Sequence, residues 1–354
     1  MASHRTGGSG QNPELIQSLS FNHLSNQTKR HKMNAIFDQT DWSVLRISGP
    51  DRAKSLNNMS TQDIKKMLPE TSSETFITNL QGKTIGFCTV HTFNDEILIR
   101  SNPDSLQHVS QALAKYSIFD NSSIEDITSE IDQLVLFGES VQQSLFSFTK
   151  TRTDQTQKIH YDQTVPGYQF PDQLTNHNGV VLLVPKGSKD SIIKSLLHSD
   201  NTNAFKGSDQ EFERLRIRNA WPIYGQDILI DNLPQEIDRD ATSISFNKGC
   251  YLGQETVARL DALGHVNRLL MGFVWKPAES TDASVKFSGT KNIQNVEGQT
   301  VGQIRSIAET SNPSEFIGLA LIRIKALETP IHVESDPSGT IQFLKAADFR
   351  NQMK

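Results

Sequence analysis

Cysteine is scarce in this sequence: its 354 residues contain two, Cys88 and Cys250. That excludes a disulfide scaffold and any self-contained four-cysteine zinc or iron–sulfur site, and it fits a reducing compartment. A long apolar run is also missing. A membrane-spanning helix needs roughly 18 apolar residues, and the longest candidate, Phe316 to Ile322, falls far short. Nor is there a basic excess: 35 Lys and Arg against 40 Asp and Glu give −5 with histidines neutral. A dedicated duplex-binding protein carries a basic field, because phosphate neutralisation dominates such affinity. The composition that remains, 36% hydrophobic and 21% charged, is that of a globular protein long enough for two or three domains and a sizeable core.

Acids are almost absent from the first 32 residues, where Glu14 stands alone against Arg5, Lys29, Arg30 and Lys32, around the run Gly7-Gly8-Ser9-Gly10. Such a composition buries no core. It predicts a disordered extension, or a start-site choice in which Met33 opens the folded protein. The Ser-rich, acid-poor character also suits an organelle transit peptide. The expected location is the cytoplasm, or the mitochondrial matrix if the chain is eukaryotic and the tail is a transit peptide.

Beyond the tail, Trp42, Val44, Leu45 and Ile47 predict a strand closed by Gly49-Pro50, followed by a short helix over Asp51 to Met59. Phe76 to Thr78, Ile85 to Val90 and Ile97 to Ile99 predict a three-stranded meander turning at Gln81-Gly82 and Asn94-Asp95. Asn102-Pro103 opens a helix through Tyr116, since Pro at the first helical position loses no needed N–H. Leu134 to Phe137 and Val180 to Val184 are further strands, Ser191 to Leu197 a helix, and Lys150 to Gln163 a polar connection. After Leu263, the runs Leu269 to Trp275, Val301 to Ile307, Phe316 to Ile324 and Ile341 to Leu344 suggest a small all-β domain, plausibly a barrel. Local mixing of strands and helices favours α+β with antiparallel sheets. The expected units are 33–150, 151–262 and a C-terminal β-barrel over 263–354.

The chemically dense stretch is Lys248-Gly249-Cys250-Tyr251-Leu252-Gly253-Gln254-Glu255. It sets a thiol two residues from an ammonium and between glycines. A nearby cation and a helix starting near Gly253 or Gln254 both favour thiolate, which makes a reactive cysteine physically reasonable. A small Cys buried in a tight turn is an equally ordinary reading. Glu255 and Arg259 are spaced for an intrahelical ion pair worth a few tenths of a kcal/mol. Gln254 offers a donor and an acceptor to a heteroaromatic edge, and Tyr251 suits either stacking or the core. Upstream, Asp209 to Arg218 has helical composition ending at Trp221-Pro222 and Gly225. Arg216 or Arg218 in it suits a bidentate carboxylate clamp or a solvated face.

The octapeptide K-G-C-Y-L-G-Q-E followed by Arg259 resembles the signature of the YgfZ family of folate-binding proteins, paralogues of the glycine-cleavage T-protein and relatives of mitochondrial iron–sulfur assembly factors. Arg216 to Gly225 and Ile47 to Asp63 resemble two further family segments in the same order. The resemblance implies two interlocked α+β units around a central channel plus a C-terminal β-barrel. It also implies that Cys250 is the functional thiol with Lys248 its neighbouring cation. A reduced folate, tetrahydrofolate above all, is the implied cofactor, with Arg216, Tyr224, Tyr251, Gln254, Glu255 and Arg259 as its candidate partners; no metal site is implied.

Departures accompany the matches. The stretch Gln81 to Cys88 has no acid where the T-protein carries a carboxylate that assists methylene transfer, and Asn219-Ala220 replaces the family's usual Ala-Gly. No glutamate matching the T-protein's pterin ligand falls between Asp162 and Gly179, where Asp172 is the one acid. The implied function is therefore a tetrahydrofolate-binding accessory protein supporting iron–sulfur cluster assembly or repair in client enzymes. Its partners are then client or assembly proteins, without stable direct nucleic-acid binding and without a membrane. Two alternatives stand beside it: a folate-dependent aminomethyltransferase or demethylase, and a factor indirectly supporting tRNA modification.

Overall fold

The computed structural model describes residues 33–353 apart from 176–177, 200–202, 279–290 and 313; the expected tail over 1–32 lies outside them. Its architecture follows from period-two alternation, which sends successive strand side chains to opposite faces. In strand Ile131–Phe137, Leu134 and Leu136 enter one apolar cluster while Val135 enters another. Strand Gly179–Pro185 repeats the split, with Val180, Leu182 and Val184 on the first face and Val181 and Leu183 on the second. Both strands are therefore covered on two sides, and their near-continuous apolar runs report that.

These strands centre a six-stranded sheet in the order 205–206, 35–38, 131–137, 179–185, 165–171, 157–161. Helices Glu139–Thr149 and Lys189–Leu197 seal its outer face. A second, five-stranded antiparallel sheet runs 71–78, 84–92, 96–101, 43–48, 123–126. Helix Pro103–Tyr116 presents Leu106, Val109 and Leu113 to that sheet's outer face. The inner faces of the two sheets share one core with the segment carrying Phe212, Ile217, Trp221, Tyr251 and Val257. Strand Ala35–Asp38 precedes every strand of the second sheet in sequence yet pairs within the first, beside Phe205–Lys206 and Ile131–Phe137. That exchange interlocks the two α+β halves.

The C-terminal strands form a six-stranded sheet in the order 331–333, 292–295, 300–309, 316–323, 268–276, 340–344. Its edge strands are consecutive in sequence and lie against one another, so the sheet is nearly closed into a barrel. The fold is α+β with a C-terminal barrel, as expected from sequence. Seven described strands, 35–38, 123–126, 157–161, 165–171, 205–206, 292–295 and 331–333, and helices 139–149, 240–243 and 346–353 were not among the expected elements.

Candidate functional site

The motif loop is fixed by backbone. Gly253 sits at φ +79, and a Cβ there would lie 2.4 Å from the Asn79 carbonyl and 2.5 Å from the Gly82 Cα. Only glycine permits so close a docking on the Asn79–Gly82 turn. Leu252 N–H donates to the Asn58 carbonyl at 2.9 Å, Thr78 Oγ1 donates to the Leu252 carbonyl at 2.6 Å, and Thr256 Oγ1 donates to the Gln81 carbonyl at 3.1 Å. Helix Gln254–Leu263 begins directly after this joint.

Lys248 does not point freely at the thiol. Its buried Nζ donates to the carbonyls of Asn57 (2.9 Å), Ser60 (2.6 Å) and Gln62 (2.8 Å) and lies 4.8 Å from the Tyr251 ring centroid. Burial pulls its pKa down to about 7, with Asp63 opposing and Lys65 adding to the fall; the three carbonyls favour keeping the proton. Cys250 is exposed, and the Cβ position of neighbouring Gly249 meets nothing within 4 Å. Cys88 is the opposite case, buried in the second sheet, its thiol pushed up to about 12 by desolvation.

The other named residues separate. Arg216 is wholly buried, and its five N–H donors are spent within the chain. Nε and Nη2 bind Glu213, Nη1 binds Asp227 (2.8 Å) and the Trp221 carbonyl (3.0 Å), and Nη2 also reaches Ser306 Oγ (2.7 Å). It clamps helix Asp209–Arg218 to the barrel strand at the bulge beside Ser306. Tyr224 is buried with its ring against His108, and Tyr251 is buried against Lys248. Gln254 is half-buried, while Glu255 and Arg259 are exposed on the helix. Asp172 is buried and accepts the backbone N–H groups of Leu174 and Thr175.

A cavity of about 700 Å³ opens elsewhere, and none of these residues lines it. One wall is the buried pair Glu74–Arg239: Arg239 Nε donates to Glu74 Oε2 at 2.7 Å and Nη2 to Oε1, while Thr242 and Ser243 hydroxyls also donate to Oε2. Burial raises the Glu74 carboxyl, but Arg239 and the hydroxyl donors outweigh it and hold it below its ordinary value. The Arg239 guanidinium lies 4.8 Å from the Trp221 ring centroid. Leu260, Val266, Leu269, Met271, Ile324 and Leu327 make an apolar wall, and Lys345 and Arg350 bring cations.

Among the described residues, two that line the cavity each carry a buried side-chain oxygen with no hydrogen-bond partner. Gln235 is 6% exposed; its Nε2 donates to the Val257 carbonyl at 2.6 Å, leaving buried Oε1 unbonded. Asp240 Oδ1 is likewise buried and unbonded, and burial followed by the Asp238 and Asp261 carboxylates pushes that side chain up to about 6. Sequence reasoning passed over both. The signal was present in the amide-and-acid run Gln235 to Asp240 just before the motif. Among the described residues no cluster of three or more His, Cys, Asp or Glu could hold a metal ion, and no helix is long and apolar enough to cross a membrane.

Compared with solved structures, the chain superposes on the glycine cleavage system aminomethyltransferase T from Bartonella henselae with a TM-score of 0.73, covering 90% of this chain and 86% of that one at 13% identity. This shows the T-protein fold. In sequence, a tRNA-modifying protein YgfZ from Sodalis glossinidius is 23% identical over 310 residues, 85% of this chain and 89% of that one. The resemblance is to YgfZ-type proteins built on the T-protein fold. A chloroplastic Arabidopsis thaliana protein that carries a transferase name is 25% identical over 313 residues, 86% of this chain and 69% of its own. A mitochondrial iron–sulfur cluster assembly factor homolog of Cryptococcus neoformans var. neoformans is 23% identical over 320 residues, 81% of this chain and 82% of its own. No family model matches the YgfZ-like chain.

Proposed function

We propose that this YgfZ-like chain binds a reduced folate in the Glu74–Arg239 cavity and acts as an accessory protein in iron–sulfur cluster assembly or repair, with the exposed Cys250 as its working thiol. The observation that carries the reading is the cavity itself. Its volume lies within the usual range for small-molecule sites, and its lining matches the three parts of tetrahydrofolate. The amide of Gln235 and the carboxyl of Asp240 suit the N–H groups of a pterin, the leucine and methionine wall suits the aminobenzoyl group, and Lys345 and Arg350 suit the glutamate carboxylates. Bound folate would supply the one-carbon acceptor chemistry of the T-protein fold; the chain's own residues bind and orient it.

The thiol belongs to the same reading through accessibility. Lys248 acts on it by fixing the loop that displays it, because its ammonium is committed to Asn57, Ser60 and Gln62. Of the residues named from sequence, Gln254, Glu255 and Arg259 lie on the helix that joins this loop to the cavity, whose lining includes Leu260 and Asp261 from the same helix. The partners in this reading are client or assembly proteins that meet the Cys250 face. The YgfZ names of its relatives extend it to tRNA modification, reached indirectly through iron–sulfur enzymes.

The test has two arms. Saturating tetrahydrofolate raises the thermal midpoint, since a ligand that binds only the native state stabilises it by mass action; no shift removes the folate assignment. A strain lacking its own family member is rescued by the wild type and not by Cys250→Ala. Rescue by both removes the thiol from the function. One observation favours the transferase alternative: Asp240 holds a carboxyl titrating near 6 inside the cavity, a value suited to general acid–base work. Folate-dependent turnover of a small amine that survives Cys250→Ala selects that reading.

A further inference from the structure

Turn centres usually take Gly, Pro, Asn, Asp or Ser, each for its local backbone chemistry, and one turn on this surface carries two large apolar residues instead. Asp120 N–H donates to the Ser117 carbonyl at 3.0 Å, which closes a turn with Ile118 and Phe119 at its centre. Ile118 is 70% exposed and Phe119 99%. The turn is tied down on both sides. Ser117 N–H donates to the Leu113 carbonyl at 2.9 Å, and the Asp120 carboxylate takes Lys54 Nζ at 2.6 Å and Ser55 Oγ at 2.9 Å. Two apolar side chains are thus displayed in a fixed conformation, which lowers the ordering cost of burying them against a partner.

The neighbourhood says what would bury them. Helix Arg52–Asn57 holds Asp120 through Lys54 and Ser55, and at its end the carbonyls of Asn57 and Asn58 accept Lys248 Nζ and Leu252 N–H, both at 2.9 Å. The apolar turn and the Cys250 loop are therefore fastened within one turn of the same helix. Laid end to end, the links from Phe119 to Cys250 amount to about 30 Å, and an interface of about 800 Å² per partner is roughly that wide. One protein surface can cover both. Charge gives that surface a sign. Lys54 is paired with Asp120, Lys66 with Asp63 at 3.0 Å, and adjacent Asp51 and Arg52 offset each other. Lys65 and Lys115 are exposed and have no carboxylate partner among the described residues. The chain carries −5 overall, yet this face has a positive surplus. Acid returns beyond it, at Glu125 and Asp126 on strand Ser123–Asp126, where a flat anionic bilayer seated on the turn would meet it.

Resting on the accessory-protein reading, we propose that the turn 117–120 is the apolar anchor of the surface on which the protein partner of Cys250 docks, and that this partner offers an apolar pocket rimmed by carboxylates. Phe119 fills the pocket, as buried aromatics do at the centre of interfaces. Lys65 and Lys115 stand at the rim, where charge speeds encounter more than it prolongs residence.

The experiment places photoreactive benzoylphenylalanine at position 119, and separately at 249, where a Cβ meets nothing within 4 Å, in the full chain expressed in a strain lacking its own family member. The expected result is one polypeptide crosslinked at both positions. Purified, that polypeptide binds Phe119→Ser at least tenfold more weakly than wild type, chiefly through faster dissociation, and binds Lys65→Glu with slower association and a flatter salt dependence. Phe146→Ser, which removes a phenylalanine 50% exposed on helix Glu139–Thr149, binds as wild type does. Equal melting and an equal rate of Cys250 alkylation establish that Phe119→Ser is folded with its thiol loop intact. Different polypeptides at the two positions, none at 119, or an affinity of Phe119→Ser within twofold of wild type overturns the inference. Self-association in sedimentation that Phe119→Ser abolishes, or cosedimentation with phosphatidylglycerol–phosphatidylcholine vesicles that it abolishes, overturns it as well, since either gives the turn another occupant. Rescue of the strain by Phe119→Ser but not by Cys250→Ala sinks this inference and leaves the accessory reading standing. Rescue by Cys250→Ala removes that reading, and this one with it.

Discussion

Lys248 Nζ lies 2.6 Å from the Ser60 carbonyl oxygen, and that contact ties the cysteine loop to the wall of the cavity. The segment it grips is itself bonded to the cavity helix Asp240–Ser243, because Thr61 Oγ1 donates to the Ser243 carbonyl at 2.6 Å and Gln62 Nε2 to the Thr242 carbonyl at 3.2 Å. Substituting Lys248→Met takes the ammonium from the carbonyls of Asn57, Ser60 and Gln62, of which Gln62 still accepts from Ser60 Oγ and the Ile64 N–H. The expected loss is about 1–3 kcal/mol, read as a lower denaturant midpoint with an unchanged slope.

Thiol accessibility separates the two cysteines. Cys250 is exposed, whereas Cys88 is buried with its thiol pushed up to about 12, and alkylation proceeds through an accessible thiolate. Native protein at neutral pH therefore incorporates one equivalent of iodoacetamide rapidly, at Cys250, and a second only on unfolding. Peptide mass mapping checks the order; equal rates in native protein contradict it.

Asp240 gives the cavity wall a pH-dependent stability signature. Its pKa is raised from 3.8 to about 6, so the folded state takes up a proton between those values. The penalty is fully present above pH 6 and vanishes below about pH 4. Two units correspond to about 3 kcal/mol as an upper bound, and because the residue is only half-buried, solvent screening brings the expectation to about 1 kcal/mol. Asp240→Asn stabilises the ligand-free protein at pH 7.5 by that amount, read as a higher thermal midpoint, and the gain disappears near pH 4.

Glu74 and Arg239 behave differently, because each leaves a buried charge when the other is removed. Arg239→Met costs about 3–5 kcal/mol, while the double change Glu74→Leu with Arg239→Met costs less than the single one. Measuring all three variants by urea denaturation checks the sign of that coupling.

Ala220 adopts φ +49, a left-handed conformation that costs a residue with a Cβ roughly 1 kcal/mol. Its neighbour Asn219 lines the cavity. Ala220→Gly relieves the strain and raises stability by at most about 0.5 kcal/mol after the entropy of the unfolded glycine is counted; a clearly lower midpoint contradicts this.

Legibility in the sequence followed locality. Strand Ser43–Ser48, the meander 71–101, helices Pro103–Tyr116 and Asp209–Arg218 and the main barrel strands were readable, because alternation, Pro at the first turn and turn residues act over a few positions. Ala35–Asp38 escaped notice because four residues carry too little periodicity, and Gln157–Tyr161 because its Gln, Lys and His suit an edge strand exposed on one face. Family likeness drew attention to the octapeptide, yet the cavity is assembled from side chains as far apart as Glu74, Gln235, Leu260 and Arg350. No spacing rule brings these together. Arg216 shows the limit most sharply: an arginine able to clamp a ligand carboxylate has the same letter as one clamping Glu213 and Asp227.

The parallel pairing of Ala35 with Phe205 has a consequence for synthesis on the ribosome. The two positions are 205 − 35 = 170 residues apart, so the leading strand waits for its partner while everything between them emerges. The five-stranded sheet, complete by Asp126, has all its strands long before that, and closing a loop of such length carries an entropic cost. One half of the molecule can thus be finished while the other still has an unclaimed edge, and during that interval the nascent chain is most exposed to mispairing and most in need of a chaperone.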